Sequence, residues 1–213
     1  MKQTIQLFFK KIVPLCLLFS CATPYNYEKF RAAKPRSILI LPPVNQSTDV
    51  RGTYSYLSTV TMPVAEKGFY VFPVALIDQM MKENGLPSAN EMHQASIKKI
   101  KEIINPDAIL YLTLEKYGTT YVLVDSQTTV SVSGKLISTF TGEVIWEGRA
   151  SVTPSSSSGG NGLAEMLVGA VIKQAVNSST DQAHNVASQA NNRLFHTEGT
   201  GLLNGPYSST PNQ

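Results

Sequence analysis

One residue in this chain sits in a neighbourhood that prescribes a reaction. Cys21 follows a basic lead of Lys2, Lys10 and Lys11, an apolar run from Ile12 to Phe19, and the close Leu18-Phe19-Ser20-Cys21. A charged lead, a short apolar stretch and a small residue before the cut form a secretory signal, and the run is far short of the roughly 20 residues that span a bilayer. With cysteine directly after the cut, the pattern reads as a bacterial lipoprotein signal covering residues 1–20. The Cys21 thiol would take a diacylglyceryl group and its freed amino group a further acyl chain. One chain binds a membrane only marginally, at about 0.8 kcal/mol per buried methylene, whereas two or three anchor it stably. The alternative is an ordinary secretory signal in which Cys21 is incidental; Phe19 is bulkier than usual for such a box. Ala22 stands where an inner-membrane retention signal would carry Asp, so the expected location is the periplasmic face of the outer membrane.

Beyond Cys21 the side chains that could do chemistry do not converge. His93, His184 and His196 are scattered and show no metal-ligand spacing such as His-x-x-x-His. No Gly-x-Ser-x-Gly elbow follows a strand, which argues against a hydrolase triad. Asp49, Asp78, Asp107, Asp125 and Asp181 fall at turns and helix ends, where carboxylates cap backbone donors. The glycine-rich stretch 154–162 runs into Leu163 where a phosphate-binding loop needs lysine. The chain is therefore expected not to be an enzyme and to need no cofactor or metal. Its candidate partner-binding residues are Asn45 and Asp49 in a polar segment after the first strand, where open sheets place ligands, with Tyr54, Tyr56 and Tyr207.

Charge adds one exclusion. The 18 Lys+Arg exceed the 15 Asp+Glu by the three signal lysines alone. The mature chain is thus neutral, and no nucleic-acid footprint is expected. Cys16 leaves with the signal and Cys21 would be acylated, so no thiol remains for a disulfide.

The elements follow from periodicity. Residues 22–36 lack a clear period and read as a tether reaching roughly 50 Å if extended. Ser37 to Leu41 is a buried strand stopped by Pro42-Pro43. Leu57, Val60 and Val64 have helical spacing before Gly68, with Pro63 a candidate kink. Phe69 to Val74 reads as a second strand, Ala75 to Asn84 as a helix, and Ser88 to Asn105 as another. Asp107 to Glu115, Tyr121 to Asp125 and Thr128 to Thr139 alternate as strands. The last turns at Thr141-Gly142-Glu143 into a returning strand through Trp146, which is either a core anchor or an exposed aromatic contact. Leu163 to Phe195 is helical, and 199–213 is a flexible or surface-docked tail. The order implies one α+β (α/β-like) domain over 37–198, a mixed sheet flanked by helices.

Several runs carry a resemblance. Leu41-Pro42-Pro43-Val44-Asn45, Tyr54-Ser55-Tyr56-Leu57-Ser58-Thr59-Val60-Thr61, Pro63-Val64-Ala65-Glu66-Lys67-Gly68, Tyr117-Gly118-Thr119, Asn191-Asn192-Arg193-Leu194 and Gly201-Leu202-Leu203-Asn204-Gly205-Pro206 resemble a bacterial lipoprotein family of unknown function, the meningococcal vaccine-candidate type. The resemblance implies a fold like the amino-terminal domain of TolB, shared with the curli-secretion lipoprotein and with lipoprotein activators of peptidoglycan synthases. It supplies no catalytic residues. The expected role is a lipid-anchored, periplasm-facing protein-interaction module, an accessory of an envelope transport, secretion or assembly complex, with envelope proteins and other lipoproteins as partners. Two alternatives stand beside it: a self-assembling oligomeric ring of the curli-secretion type, and a cell-wall glycan-binding protein or hydrolase.

Overall fold

The computed structural model describes residues 25–122, 125–154 and 179–210. Cys21, the signal and the first part of the long helical stretch lie outside these residues. Six strands, β1 (Ser37–Ile40), β2 (Val44–Asn45), β3 (Tyr70–Val71), β4 (Ala108–Val122), β5 (Asp125–Ser138) and β6 (Val144–Val152), form one mixed sheet in the order β3-β1-β4-β5-β6, with β2 paired to β4. β1 is parallel to β3 and β4, and β2 to β4, while β4, β5 and β6 run antiparallel.

The alternation in β1 divides the core into two layers. Ile38 and Ile40 point to one face with Leu110, Leu112 and Leu114, where α2 (Gly52–Glu66) and α6 (Ser179–His196) cover them. Leu39, Leu41 and Ile109 point to the other face, under α3 (Val74–Glu83), α4 (Ala89–His93) and α5 (Ile97–Ile103). A strand buried on both sides must be apolar throughout, as the run at 38–41 is. Among the described residues β5 and β6 are covered on the α6 side, towards which they send Val130, Val132, Leu136, Trp146 and Ala150. Their other face carries ion pairs such as Lys135–Glu147 at 3.1 Å and Arg149–Glu115 at 3.0 Å.

Trp146 is the anchor of that layer. Its ring is fully buried, stacks on Phe195 with centroids 5.8 Å apart, and its indole N–H donates to the Thr200 carbonyl at 3.1 Å. The space for it comes from the facing pair Gly134 and Gly148; a Cβ on Gly148 would stand 2.5 Å from the indole.

Several boundaries differ from expectation. The second strand is only Tyr70–Val71, because Pro73 becomes the N-cap of α3 and cannot continue a ladder. Residues 88–105 hold two short helices rather than one: Ser88 and Glu91 form a capping box for α4, and extended Ser96 begins α5. α2 runs through Pro63 to Glu66. That proline lies in the last turn, where its missing N–H costs a single bond. Much of the expected tether is folded. Glu28–Ala33 forms α1, whose Phe30 is 5% exposed and meets Phe69 edge-on at 6.2 Å. The Tyr25 hydroxyl accepts from the Glu147 amide at 2.7 Å, and the Tyr27 hydroxyl donates to the Gly201 carbonyl at 2.5 Å. The segment after α6 is docked on the same end. The Gly205 amide donates to Lys67 O at 2.6 Å and the Tyr207 amide to Gly68 O at 3.0 Å.

Candidate functional site

The polar segment between β2 and α2 folds over the edge of β4. Asn45 organises the turn: its carboxamide oxygen accepts from the Ser47 amide and hydroxyl at 2.9 and 2.7 Å, and its nitrogen donates to Asp49 O at 2.7 Å. Asn favours such local bonding to its own backbone. Asp49 in turn accepts from the Arg51 amide at 3.0 Å and from the Arg51 guanidinium at 3.1 and 2.9 Å. The hydrogen bonds from the Arg51 side chain hold the Asp49 carboxyl below the usual carboxylate range. Between this turn and Glu115 to Thr120 of β4 lies an open polar cleft of about 670 Å³, lined also by Gln127 and Thr129 of β5. Tyr117, largely buried at its floor, shares a hydrogen bond with the Ser55 hydroxyl, and burial pushes its phenol up.

The strands that line one side of the cleft, β4 and β5, continue as a two-stranded ribbon among the described residues. β2 reaches only Leu114 and β6 pairs β5 only from Val130, whereas the β4–β5 ladder runs on from Gly118↔Thr129 to Val122↔Asp125. Among the described residues neither outer edge of this ribbon carries a further strand. A bulge between Leu114 and Lys116 turns the ribbon at its root, and Gly118 takes φ +116 without breaking the ladder. The strand expected from Asp107 to Glu115 instead runs on through Gly118 to Val122 as β4.

The expected partner residues do not form one site. Asp49 lines the cleft, and Asn45 braces the turn that carries it. Tyr54 is 50% exposed but faces α3, where its hydroxyl donates to Asp78 at 3.4 Å and Lys82 lies 4.9 Å over its ring. Tyr56 is a correction. It is 0% exposed, its hydroxyl donates to Asn191 Oδ1, and it offers nothing to a partner. Helical geometry sets residues two apart on opposite sides, so Tyr54 and Tyr56 could not share a face. Tyr207 is 62% exposed but lies at the C-terminal end of α2. A 15-residue helix puts that end about 22 Å from the cleft.

Of the histidines, His93 donates from Nε2 to Pro42 O at 2.9 Å and meets the Tyr111 ring edge-on. Burial pushes its imidazole below the ordinary value. Among the described residues no group of three or more His, Cys, Asp or Glu could hold a metal ion, and no helix is long and apolar enough to cross a membrane. A second groove of about 390 Å³ between α3 and α5 is apolar, lined by Met80, Met81, Leu86, Ile100 and Ile103.

Comparison with known proteins gives this geometry its context. Residues 25–207 match the model of the family described as "Putative lipoprotein GNA1162-like". The "Putative lipoprotein NMB1124/NMB1162" of Neisseria meningitidis serogroup B is 40% identical over 186 residues, 87% of this chain and 86% of its own length. The crystal structure of lipoprotein GNA1162 from Neisseria meningitidis is similar at 42% identity over 68% of this chain and 100% of that one, with a TM-score of 0.55. The PelC dodecamer from Paraburkholderia phytofirmans is more remote, 15% identical over 74% of this chain and 86% of that one at a TM-score of 0.44, and says nothing of how this chain assembles. The chain belongs to the GNA1162-like lipoprotein family.

Proposed function

We propose that this protein is an interaction module of the bacterial envelope, anchored through acylated Cys21 to the periplasmic face of the outer membrane and working by protein contacts in a transport, secretion or assembly complex. The observation that carries the reading is the β4–β5 ribbon, whose outer edges pair with no further strand from Gly118 to Val122 or from Asp125 to Thr129 among the described residues. An open edge offers a row of N–H and C=O groups to an added strand, and such strand addition takes its affinity from main-chain bonds. The polar cleft beside the ribbon, lined by Asp49 with its partner Arg51, then selects which chain can lie there.

The test places a photo-crosslinking residue at exposed Thr120 or Gln127 of the lipidated protein in living cells, with exposed Glu83 on α3 as the control. Adducts with one envelope protein at 120 and 127, absent at 83, support the reading. Adducts with a second copy alone move the proposal to an oligomeric ring. An unaccompanied monomer sinks both and returns attention to glycans.

A further inference from the structure

The described residues begin close to Cys21, and they begin with a basic segment. Only Ala22, Thr23 and Pro24 separate Cys21 from Tyr25. Tyr25 is held on the domain by its bond to the Glu147 amide and by its packing against Tyr27, ring centroids 4.6 Å apart. Four Cα steps span at most about 14 Å, so the anchor cannot hold this end of the domain clear of the headgroups as a 15-residue tether would. That segment is cationic, with Glu143 and Asp107 as the acids bonded to it from elsewhere in the chain. Residues 25–36 carry Lys29, Arg31, Lys34 and Arg36 against the single acid Glu28, and all four cations are exposed. Lys29 pairs with Glu143 at 3.0 Å, but among the described residues no ion pair takes up Arg31, Lys34 or Arg36.

We propose that the α1 end of the domain, through Arg31, Lys34 and Arg36, lies on the anionic phosphates of the membrane that holds Cys21, which aims the β4–β5 ribbon away from that membrane. This rests on the acylation of Cys21 proposed above. The direction follows from the strand. The Arg36 amide donates to Asp107, next to the start of β4, so the α1 end and Val122 of the ribbon lie at opposite ends of β4. Fifteen strand residues at about 3.3 Å each separate the two by roughly 45 Å. Basic side chains beside an anchor are drawn to anionic lipid within a Debye length of the surface. The contact therefore orients a domain that the acyl chains only tether.

The test uses the full acylated protein in vesicles of phosphatidylethanolamine and phosphatidylglycerol that contain a headgroup-labelled quencher lipid. A fluorophore is attached to an introduced cysteine, Ala32→Cys beside the basic end or Gln127→Cys on the ribbon. Strong quenching at 32 with little at 127 is expected. Reversing Arg31, Lys34 and Arg36 to Glu should cut the quenching at 32 by about twofold or more. Equal quenching at 32 and 127, or no response to the charge reversal, overturns the orientation while leaving the anchor intact. If Cys21→Ser floats with membranes and takes fatty-acid label as the parent does, the acylation itself is wrong and the orientation falls with it.

Discussion

The Tyr56 hydroxyl in α2 donates to the Asn191 side chain in α6, and both residues are 0% exposed. Asn191 passes the chain on by donating to the Thr59 hydroxyl at 2.8 Å, and Thr59 donates to Tyr56 O at 2.7 Å. Two helices covering one face of the sheet are thus tied by a closed polar network, with no buried side-chain polar atom left unsatisfied among the described residues. Low local dielectric makes such a network costly to break on one side. Asn191→Leu should therefore cost about 1–3 kcal/mol, since it strands a buried hydroxyl. Adding Tyr56→Phe should cost much less than its value alone, because the orphaned group goes with it. Urea unfolding of the two single variants and the double variant checks this. Strict additivity would mean that the bond does not couple the helices.

Gly148 lies against the face of Trp146, and a Cβ there would stand 2.5 Å from the ring, whereas one on Gly134 would be 3.4 Å away. Gly148→Ala should destabilise by about 1–3 kcal/mol through overpacking, and Gly134→Ala by distinctly less. Trp146 is the sole tryptophan, so its emission reports the layer directly. A red shift in Gly148→Ala and none in Gly134→Ala is the expected pair of spectra, and equal effects would contradict the packing order.

What the sequence could reveal tracked how far each feature depends on local pattern. The run 38–41 before two prolines, the spacing of Leu57, Val60 and Val64, and the β5–β6 turn all encode themselves in a few residues, and the structure has them. Tyr56 was also legible. It stands at i−4 from Val60 and i−8 from Val64, on the buried stripe, and the pairing with exposed Tyr54 obscured this. α1 was hidden by its length. Tyr27, Phe30 and Ala33 fall at helical spacing and all pack on the core, but six residues make too short a window for the period to declare itself. The ribbon depends on register with β5 over fourteen pairs. Such non-local pairing leaves no mark that distinguishes it from two shorter strands.

His93 gives the domain a defined response to acid. Burial holds its folded-state pKa below the ordinary 6.5, offset only in part by the bond to Pro42 O. As pH falls, the unfolded chain therefore takes up the proton first. The contribution to stability is complete above about 6.5 and is lost as pH falls through the folded-state value. His93→Gln keeps a donor for Pro42 O and removes the titration. Between pH 7.5 and 5.5 the parent should lose urea resistance and the variant should lose less. Parallel losses would place the acid sensitivity elsewhere.

Phe30 is the test of whether residues 25–36 belong to the fold or to a tether. Its ring is buried against Phe69, and the residues leading into α1 hold on through Tyr25 and Tyr27. A Phe→Ala change in a core costs about 3–5 kcal/mol, but a terminal helix can escape that cost by detaching locally. Phe30→Ala should accordingly lower global stability by no more than about 3 kcal/mol. It should sharply accelerate tryptic cleavage after Arg31 and Arg36, both exposed yet tied down in the parent. If the parent is cut there as fast as the variant, α1 is not held. The chain between Cys21 and Ser37 would then act as the long tether that its composition suggested, and the basic end would lose its hold on the membrane.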